Sequence, residues 1–248
     1  MCTAILDGGF FGRTLDVECE WGGEVYRGEN IIGMARVERG VPLFFDAVNS
    51  SGLAAAALNF PGLARYRADA GRRFNIPSYN LISFILENCE SIAETETLLA
   101  DVNVTPEAFA PNLPPTPLHW MFADKNGSIV FEQTSEGGWV YRNPIGVMTN
   151  APTFPEHLKN LENGLKPTDL SSESRFILAA EAKKKASRGS AEGFFDIMES
   201  VLVDLGRGTK KDTRTVYTSC IDLEKGEYYC KSDGKIKFCG CVDKSPKV

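Results

Sequence analysis

The sequence predicts an α+β fold in which two antiparallel sheets stack between helical layers, giving a four-layer αββα sandwich. Segments with strand and helix patterns come in groups, in the order strands, helices, strands, helices, strands. Such grouping favours α+β layering, because a parallel βαβ sheet would alternate single strands with single helices. A run of small apolar residues at 53–58 is apolar on both faces, as in a strand packed between two layers.

The first half of the chain carries two β regions followed by two helices. Strands are predicted at 2–6 and 10–17, which flank a glycine turn and so form a hairpin. A second β region covers 41–59, with a break at 49–52. Pro77 is tolerated in the first turn of a helix, and apolar side chains follow it at helical spacing. A second helix is predicted over 92–99.

The second half continues with strands, helices and strands. A meander is predicted first, with strands at 118–123, 129–133, 139–142 and 146–149. Helices follow at 174–187 and 191–205, the second with an apolar stripe. The closing strands are predicted at 215–222, 227–232 and 236–242. Because no linker-like stretch interrupts this order, a single domain is predicted over residues 1–248.

Composition argues against several classes of partner. The 27 basic and 33 acidic residues give a formal charge of −6, which disfavours non-specific binding to nucleic acid or to an anionic membrane. No apolar run is long enough to span a membrane and the N-terminus lacks a secretory pattern, so we expect a cytoplasmic protein without membrane insertion. Seven cysteines form an odd count without paired spacings, which favours reduced thiols.

Cys2 is the first candidate catalytic residue. We expect Met1 to be removed, which would leave Cys2 with a thiol and a free α-amine on the same carbon. An α-amine titrates at about pH 8, so part of it is neutral at physiological pH and can act as a base. Taken alone, a cysteine at this position could equally be a buried residue of the first strand.

Arg13 and Asp16 strengthen the catalytic interpretation of Cys2. Both lie on the strand that is predicted to pair with the strand of Cys2. A cation near a thiol favours the thiolate, and a carboxylate can hold an α-amine in position. The alternative is a solvated ion pair of little consequence, which the interior of a sandwich disfavours.

Several short sequence words can be matched together along nearly the whole chain. They are Met-Cys-Thr at 1–3, Phe-Gly-Arg-Thr-Leu-Asp at 11–16, Leu-Asn-Phe-Pro at 58–61, Leu-His-Trp-Met at 118–121, Phe-Glu-Gln-Thr at 131–134, Thr-Asn-Ala-Pro-Thr-Phe at 149–154, Ser-Arg-Phe at 174–176 and Tyr-Thr-Ser-Cys at 217–220. In this order they resemble the choloylglycine hydrolase family, which includes bile salt hydrolases and penicillin V acylases. The resemblance implies an N-terminal nucleophile (Ntn) hydrolase fold, in agreement with the layers predicted above.

The resemblance also implies catalytic roles. Cys2 would be the nucleophile and its own α-amine the base. Asp16 would hydrogen-bond that amine, Arg13 would lie beside the thiol, and Arg175 would help to hold the group together. No metal or organic cofactor is expected.

An oxyanion hole is implied by the same resemblance. The side-chain amide of Asn150 and the backbone N–H of Asn59 would donate to the oxygen that becomes negative when the amide carbon is attacked. From the residues alone, each asparagine could instead serve a bend, because each precedes a proline by two positions.

The expected reaction is hydrolysis of a linear, non-peptide amide through a thioester on Cys2. Conjugated bile salts, which would release glycine or taurine, are the leading substrate, since Asn59 stands where penicillin V acylases tend to have tyrosine. Trp21 could offer a flat apolar surface to a steroid or acyl chain. The alternatives are acylases of penicillin V or N-acyl homoserine lactones with the same machinery, and a catalytically silent relative that binds a small molecule.

Four C-terminal cysteines and the two histidines receive other interpretations. Structural zinc sites usually show two Cys-x₂₋₄-Cys pairs, whereas the C-terminal region has a single Cys-Gly-Cys, so we expect scattered thiols ahead of a zinc site or a redox pair. His119 and His157 lie near no serine nucleophile motif. His119 is expected to be a core or interlayer residue. The four cysteines are Cys220, Cys230, Cys239 and Cys241.

The chain is shorter than typical members of the family that it resembles. The missing length falls between Asp16 and Asn59 and, above all, between Asn150 and Arg175. In many members the second interval reaches a neighbouring subunit and supports a tetramer. We therefore expect a monomer or homodimer here.

Overall fold

The structure, a computed structural model, describes residues 1–18, 21–186, 189–205 and 213–243. Within these residues, two seven-stranded antiparallel sheets pack face to face and helices cover the outer face of each. The predicted α+β fold, a four-layer αββα sandwich, is therefore confirmed. No helix of the described residues is long and apolar enough to cross a membrane.

The elements are numbered in chain order. The strands are β1 (Cys2–Asp7), β2 (Phe10–Val17), β3 (Glu24–Arg27), β4 (Ile31–Glu38), β5 (Val41–Asn49), β6 (Ala54–Asn59), β7 (Phe74–Pro77), β8 (Val102–Thr105), β9 (Leu118–Asp124), β10 (Gly127–Thr134), β11 (Gly137–Arg142), β12 (Val147–Met148), β13 (Asp204–Leu205), β14 (Thr213–Asp222), β15 (Glu227–Ser232) and β16 (Lys235–Cys241). The helices are α1 (Leu81–Asn88), α2 (Ile92–Leu99), α3 (Phe154–Glu162), α4 (Ser172–Lys185) and α5 (Ala191–Glu199).

The strand order places the N-terminal hairpin in the middle of the sandwich. The first sheet runs β12-β1-β2-β14-β15-β16, with β13 paired to β14, and α4 and α5 pack on it. The second sheet runs β11-β10-β9-β6-β5-β4-β3, and α1 and α2 pack on it. Strands β1 and β2 contact β6 across the interface between the sheets. The hairpin thus faces the centre of the opposite sheet.

Strand β6 shows why the 53–58 run is small and apolar throughout. Ala54, Ala56 and Leu58 belong to the core that includes the first sheet, whereas Ala55 and Ala57 belong to the core under α1 and α2. Residues 54–58 are all buried. The prediction of a strand packed between two layers is confirmed.

Two predicted elements in the second half of the chain need correction. The last strand of the predicted meander, at 146–149, is the shorter β12 in the structure, and it does not join the second sheet with the other meander strands. It pairs instead with β1 of the first sheet, because the outer edge of β1 offers unpaired backbone groups. The helix predicted over 191–205 ends at Glu199, and the chain then turns so that β13 can pair with β14. Val201 and Val203 stay buried after the helix ends, which explains the misleading stripe. Position 187, at the end of the other predicted helix, lies outside the described residues.

The structure contains several elements that the sequence patterns do not predict. Strands β3 and β4 form the edge of the second sheet, and β7 and β8 form a separate parallel pair. Pro77, where a helix is predicted to start, instead ends β7, and a short 3₁₀ helix, Ser78–Asn80, leads into α1. Helix α3 begins with a capping box of Thr153 and Glu156, a signal that the sequence does contain.

Two β-bulges re-aim side chains next to Cys2. The register between β4 and β5 shifts so that Phe45 is the extra residue, and the register between β2 and β14 shifts so that Val216 is extra. A bulge bends its strand and turns the neighbouring groups away from the regular ladder. The carbonyl of Phe45 and the side chains of Thr215 and Tyr217 consequently point to buried charged groups described below.

Gly12 lets β14 approach β2 closely. A Cβ added at Gly12 would lie 2.0 Å from the backbone oxygen of Ser219. The close approach also brings the Ser219 hydroxyl within 3.1 Å of the backbone nitrogen of Arg13, which donates to it.

We expect Gly12→Ala to lower the free energy of unfolding by about 1–3 kcal/mol, because the added methyl group meets backbone that cannot move freely. Gly22→Ala is the matched control, since a Cβ at Gly22 meets nothing within 4 Å. Denaturant unfolding of both variants checks the expectation. Equal stability of the two variants would contradict the close approach.

Candidate active site

The hairpin brings the sulfur of Cys2 against the guanidinium of Arg13. Arg13 Nη2 lies 2.7 Å from Cys2 Sγ, and each residue is 1% exposed. The other two nitrogens of this guanidinium donate to three backbone carbonyls: Nε to Thr14 at 3.0 Å, and Nη1 to Ala57 at 2.7 Å and to Phe45 at 3.3 Å. The cation is thus fixed by both sheets and aimed at the thiol.

Arg13 stays charged in spite of its burial. Burial alone would lower the pKa of Arg13, but the net pKa is raised by Cys2, Tyr217, Asp46 and Asp16 acting together. A guanidinium that remains protonated is a permanent positive charge beside the sulfur. Such a charge favours the thiolate, which is the nucleophilic form of cysteine.

Asn150 lies against the backbone nitrogen of Cys2. Its Oδ1 accepts from the Cys2 backbone N–H at 2.7 Å and from Arg175 Nη2 at 2.9 Å. Its Nδ2 donates to the backbone oxygen of Asn59 at 2.7 Å. Because Oδ1 has two donors as partners, the orientation of the amide is fixed. The second hydrogen of Nδ2 makes no hydrogen bond within the described part of the chain.

Arg175 connects helix α4 to the hairpin. Its Nη1 donates to the backbone oxygen of Cys2 and to Thr3 Oγ1, both at 2.7 Å, and its Nε donates to the Leu170 oxygen at 3.1 Å. Burial lowers the pKa of Arg175, and Asp16 acts against this effect. The side chain is fully buried and holds three segments together.

Asp16 has one satisfied and one unsatisfied carboxylate oxygen. Thr215 donates to Oδ1 at 2.6 Å, whereas Oδ2 is buried without a hydrogen-bond partner and lies 3.8 Å from Arg175 Nη1. Burial raises the pKa of Asp16. The backbone of Asp16 pairs with Met1 in both directions, since the terminal amine donates to the Asp16 oxygen at 2.8 Å and the Asp16 N–H to the Met1 oxygen at 2.9 Å.

Cys2 and Arg13 open onto an apolar cavity of about 280 Å³. Its walls come from β2, β5, β6, the start of α1 and the loop at 106–117. Asn59 lies at the rim, where its side chain is exposed. The other lining residues are mostly apolar: Leu15, Val17, Arg36, Leu43, Phe44, Phe45, Ala57, Ser78, Tyr79, Ile82, Phe109, Leu113, Pro114, Pro115, Thr116, Leu118 and Trp120.

Trp21 lies outside this cavity. Its ring stacks on Tyr217 with centroids 4.7 Å apart and meets Phe45 edge-on at 6.0 Å. Trp21 lines a separate surface concavity with Glu199 and Lys231 instead. The structure therefore places Trp21 behind Phe45, which itself lines the cavity.

The two histidines support the segment that carries Asn150. His157 Nε2 donates to the Asn150 backbone oxygen at 2.9 Å, and its Nδ1 is buried without a partner. Burial lowers the pKa of His157 to about 4. His119 Nδ1 lies 3.1 Å from Glu132 Oε1, which also accepts from the Phe154 backbone N–H at 3.0 Å. These contacts hold residues 150–154 in place.

The C-terminal cysteines lie apart from the cavity. Cys220 and Cys230 are buried, Cys239 is half-buried and Cys241 is exposed. Burial raises the pKa of Cys230 to about 12. Among the described residues, no cluster of three or more His, Cys, Asp or Glu side chains could hold a metal ion.

Sequence reasoning names six residues for this site, and the structure brings all six together: Cys2, Arg13, Asp16, Asn59, Asn150 and Arg175. Sequence reasoning does not identify the carbonyls of Phe45 and Ala57 as partners of Arg13. The sequence carries no signal for them, because backbone groups occur at every position. It also does not identify Thr215 as the partner of Asp16. Thr215 directly precedes a bulge, and bulges cannot be located from strand periodicity.

Neutral His157 predicts a pH-dependent stability. The folded pKa of about 4 lies below the ordinary value of 6.5, so the unfolded chain binds the proton more readily between these pH values. The contribution of His157 to the free energy of unfolding is therefore fully present above pH 6.5, the ordinary pKa. It decreases by about 3 kcal/mol as the pH falls toward the pKa of the folded state. Unfolding of wild type and His157→Gln across this range measures the difference. Parallel curves for the two proteins would contradict the buried neutral histidine.

Comparison with known proteins identifies the family of the chain. The family model described as linear amide C–N hydrolases, choloylglycine hydrolase family, matches residues 7–174 and 164–239. A bile salt hydrolase/transferase from Lactiplantibacillus plantarum is 34% identical, in an alignment that covers 94% of this chain and 89% of that protein. A bile salt hydrolase/transferase from Clostridium perfringens is 35% identical, in an alignment that covers 80% of this chain and 72% of that protein.

Solved structures show the same architecture. A mutant of conjugated bile acid hydrolase from Clostridium perfringens superimposes with a TM-score of 0.86 and 28% identity over 100% of this chain and 99% of that one. Penicillin V acylase from Agrobacterium tumefaciens shares the fold with a TM-score of 0.74 at 17% identity, over 94% of this chain and 83% of that one. With its whole length matched and its layers shared, the chain belongs to the choloylglycine hydrolase family of linear amide C–N hydrolases.

Proposed function

We propose that the protein is a cysteine-dependent amidase in which Cys2 is the nucleophile and conjugated bile salts are the substrates. One observation carries the mechanism: Cys2 lines an apolar cavity, and its sulfur lies 2.7 Å from a buried guanidinium. An apolar cavity with a thiol on its wall beside a fixed cation suits an acyl group whose carbonyl carbon is presented to the sulfur.

Removal of Met1 prepares the site. The backbone nitrogen of Cys2 then becomes a free α-amine next to Asn150, one residue after the position where Met1 pairs with Asp16. The unsatisfied Oδ2 of Asp16 supports this step, because a buried carboxylate oxygen without a donor is unusual and the new amine supplies one. Asp16 would hold the amine so that its lone pair faces the thiol.

Acylation follows from this geometry. The α-amine accepts the thiol proton, and the thiolate attacks the amide carbon to form a tetrahedral intermediate. The carbon–nitrogen bond then breaks, the leaving amine takes the proton back from the α-ammonium, and a thioester remains on Cys2. Water, deprotonated by the same amine, attacks the thioester and releases the carboxylic acid.

Asn150 would stabilise the oxyanion that forms in both steps. One hydrogen of its Nδ2 is bound to the Asn59 oxygen, and the other is available to the substrate. We assign the backbone N–H of Asn59 as the second donor, because Asn59 lies at the rim of the cavity. Arg175 and the Cys2 N–H fix the amide before substrate arrives, which is the preorganisation that such donors require.

The choice of bile salts rests on the relatives and on the character of the cavity. The relatives that cover most of this chain are named bile salt hydrolases, and the cavity walls are largely apolar and aromatic, as a steroid requires. Penicillin V is the second candidate acyl donor. A volume of about 280 Å³ would enclose a small aryloxyacetyl group, whereas a steroid would extend beyond the cavity toward solvent.

We expect Cys2→Ala to lower the release of glycine from a glycine-conjugated bile acid by about 10⁴-fold or more, because the nucleophile is lost. Both proteins are assayed against a panel of substrates: glycine- and taurine-conjugated bile acids, penicillin V and an N-acyl homoserine lactone. Turnover of each substrate is measured by the amine released. Intact-mass measurement of the same preparation should show the loss of Met1. Cys241→Ala, at an exposed cysteine away from the cavity, should retain wild-type turnover.

The panel separates the alternatives. Faster release from penicillin V or the lactone would replace bile salts as the substrate and keep the mechanism. Unchanged turnover in Cys2→Ala would exclude the mechanism. A wild-type protein that has lost Met1 and binds these compounds without releasing any amine would be a binding protein and not an enzyme.

We also propose that the protein is a monomer or homodimer. The interval between Asn150 and Arg175 supports this assembly, because its helix α3 packs on α4 of the same chain and buries Phe154 and His157. Sedimentation velocity should give one or two times the chain mass of 27.2 kDa. A species of four chains that persists on dilution would contradict the proposal. A cytoplasmic location stays a prediction of the sequence.

A further inference from the structure

Asp46 is a buried carboxylate that the proposed mechanism leaves unused. It lies on β5 directly after the bulge residue Phe45 and is 0% exposed. The Tyr217 hydroxyl donates to Oδ2 at 2.6 Å and the Tyr228 hydroxyl to Oδ1 at 2.5 Å. Asp46 does not line the cavity, so it cannot touch the substrate there. Burial raises the pKa of Asp46, whereas Arg13 and the two hydroxyl donors, one on each oxygen, act against this effect and favour the ionised carboxylate.

Two cations and two carboxylates are buried around Cys2. Arg175 lies 3.8 Å from Asp16, which is the closest pair of opposite charges among them. The direct partners of Arg13 are three neutral carbonyls and the Cys2 sulfur. Tyr217 lies between Arg13 and Asp46: the Arg13 Cζ is 6.0 Å from the centre of its ring, and its hydroxyl donates to Asp46. Asp46 is therefore the carboxylate left to balance Arg13.

We propose that Asp46 is a positioning residue which balances the charge of Arg13 when Cys2 is acylated. The inference rests on the proposed function of Cys2. In the free enzyme the thiolate neutralises Arg13, but the sulfur of a thioester carries no charge. A buried cation without a counter-charge is strongly disfavoured. Asp46 supplies the counter-charge through that stage and keeps Arg13 aimed at the sulfur.

Loss of this carboxylate has a defined consequence. The thiolate, which already contacts Arg13, would no longer face the negative charge of Asp46, so the free enzyme would retain the thiolate to lower pH and would acylate more slowly. Other groups act on Asp46 and Cys2, and the substitution Asp46→Asn leaves all of them in place. The groups that face Asp46 are Arg13, Tyr217, Ser219, Tyr228 and Cys230, and those that face Cys2 are Arg13, Arg175, Tyr217 and the terminal amine beside Asp16.

Alkylation of Cys2 by iodoacetamide as a function of pH tests the proposal in the mature protein. The rate is followed by mass spectrometry of the N-terminal peptide, which separates Cys2 from the other thiols. In Asp46→Asn the midpoint of the profile should move down by about one pH unit, and kcat for the best substrate should fall about tenfold. KM should stay within about twofold, because Asp46 does not line the cavity.

Two tyrosine variants provide the second measurement and the control. Tyr228→Phe removes one donor from Asp46 and should move the midpoint in the same direction by less, whereas Tyr229→Phe, whose hydroxyl binds Glu227, should leave it unchanged. A folded Asp46→Asn with an unchanged or raised midpoint overturns the proposal. If that variant does not fold, an unchanged midpoint in Tyr228→Phe overturns it. Alkylation needs no substrate, so absence of turnover in the wild type would count against the proposed function only.

Discussion

A charged guanidinium buried beside a sulfur is the constraint on which the rest of the site depends. Arg13 is taken out of water, so each of its donors needs an acceptor with a fixed place in the fold. One acceptor is in its own strand, two are in the opposite sheet, and the last is Cys2 itself. The position of Arg13 beside Cys2 therefore depends on the packing of both sheets.

Irregularities in the strands make that packing specific. In a regular ladder the backbone oxygens of β5 would accept hydrogen bonds from the neighbouring strands, and the side chains of β14 would alternate between the two faces of the sheet. The bulge at Phe45 frees a carbonyl for Arg13, and the bulge at Val216 aims Thr215 at Asp16 and Tyr217 at Asp46. Bulges near active sites are a known way of re-aiming side chains. Here each one serves a charged group that touches or neighbours Cys2.

Much of the fold could be predicted from the sequence, because it rests on local patterns. The hairpin of β1 and β2 carries two glycines with positive φ at its turn, and β6 is apolar on both faces. Elements whose signal is weak or whose partners are distant could not be predicted: β12 joins the other sheet through pairing with β1, and Val201 continues an apolar stripe after α5 has ended. Residue chemistry indicated Cys2, Arg13 and Asp16, and the resemblance to the family implied Asn59, Asn150 and Arg175. The position of Trp21 behind Phe45 could not be predicted, because the distance between layers cannot be read from sequence spacing.

The alanines of β6 set how near the two sheets can come, and the carbonyl of Ala57 reaches Arg13 because of them. Larger side chains in this strand would separate the layers and leave the guanidinium without its acceptor. The mouth of the cavity, by contrast, is formed partly by the loop at 106–117, whose Phe109, Leu113 and Pro114 lie outside both sheets. A change in that loop would therefore alter the cavity wall that lies outside the strands, while the strands that carry Cys2 and Arg13 stay in place.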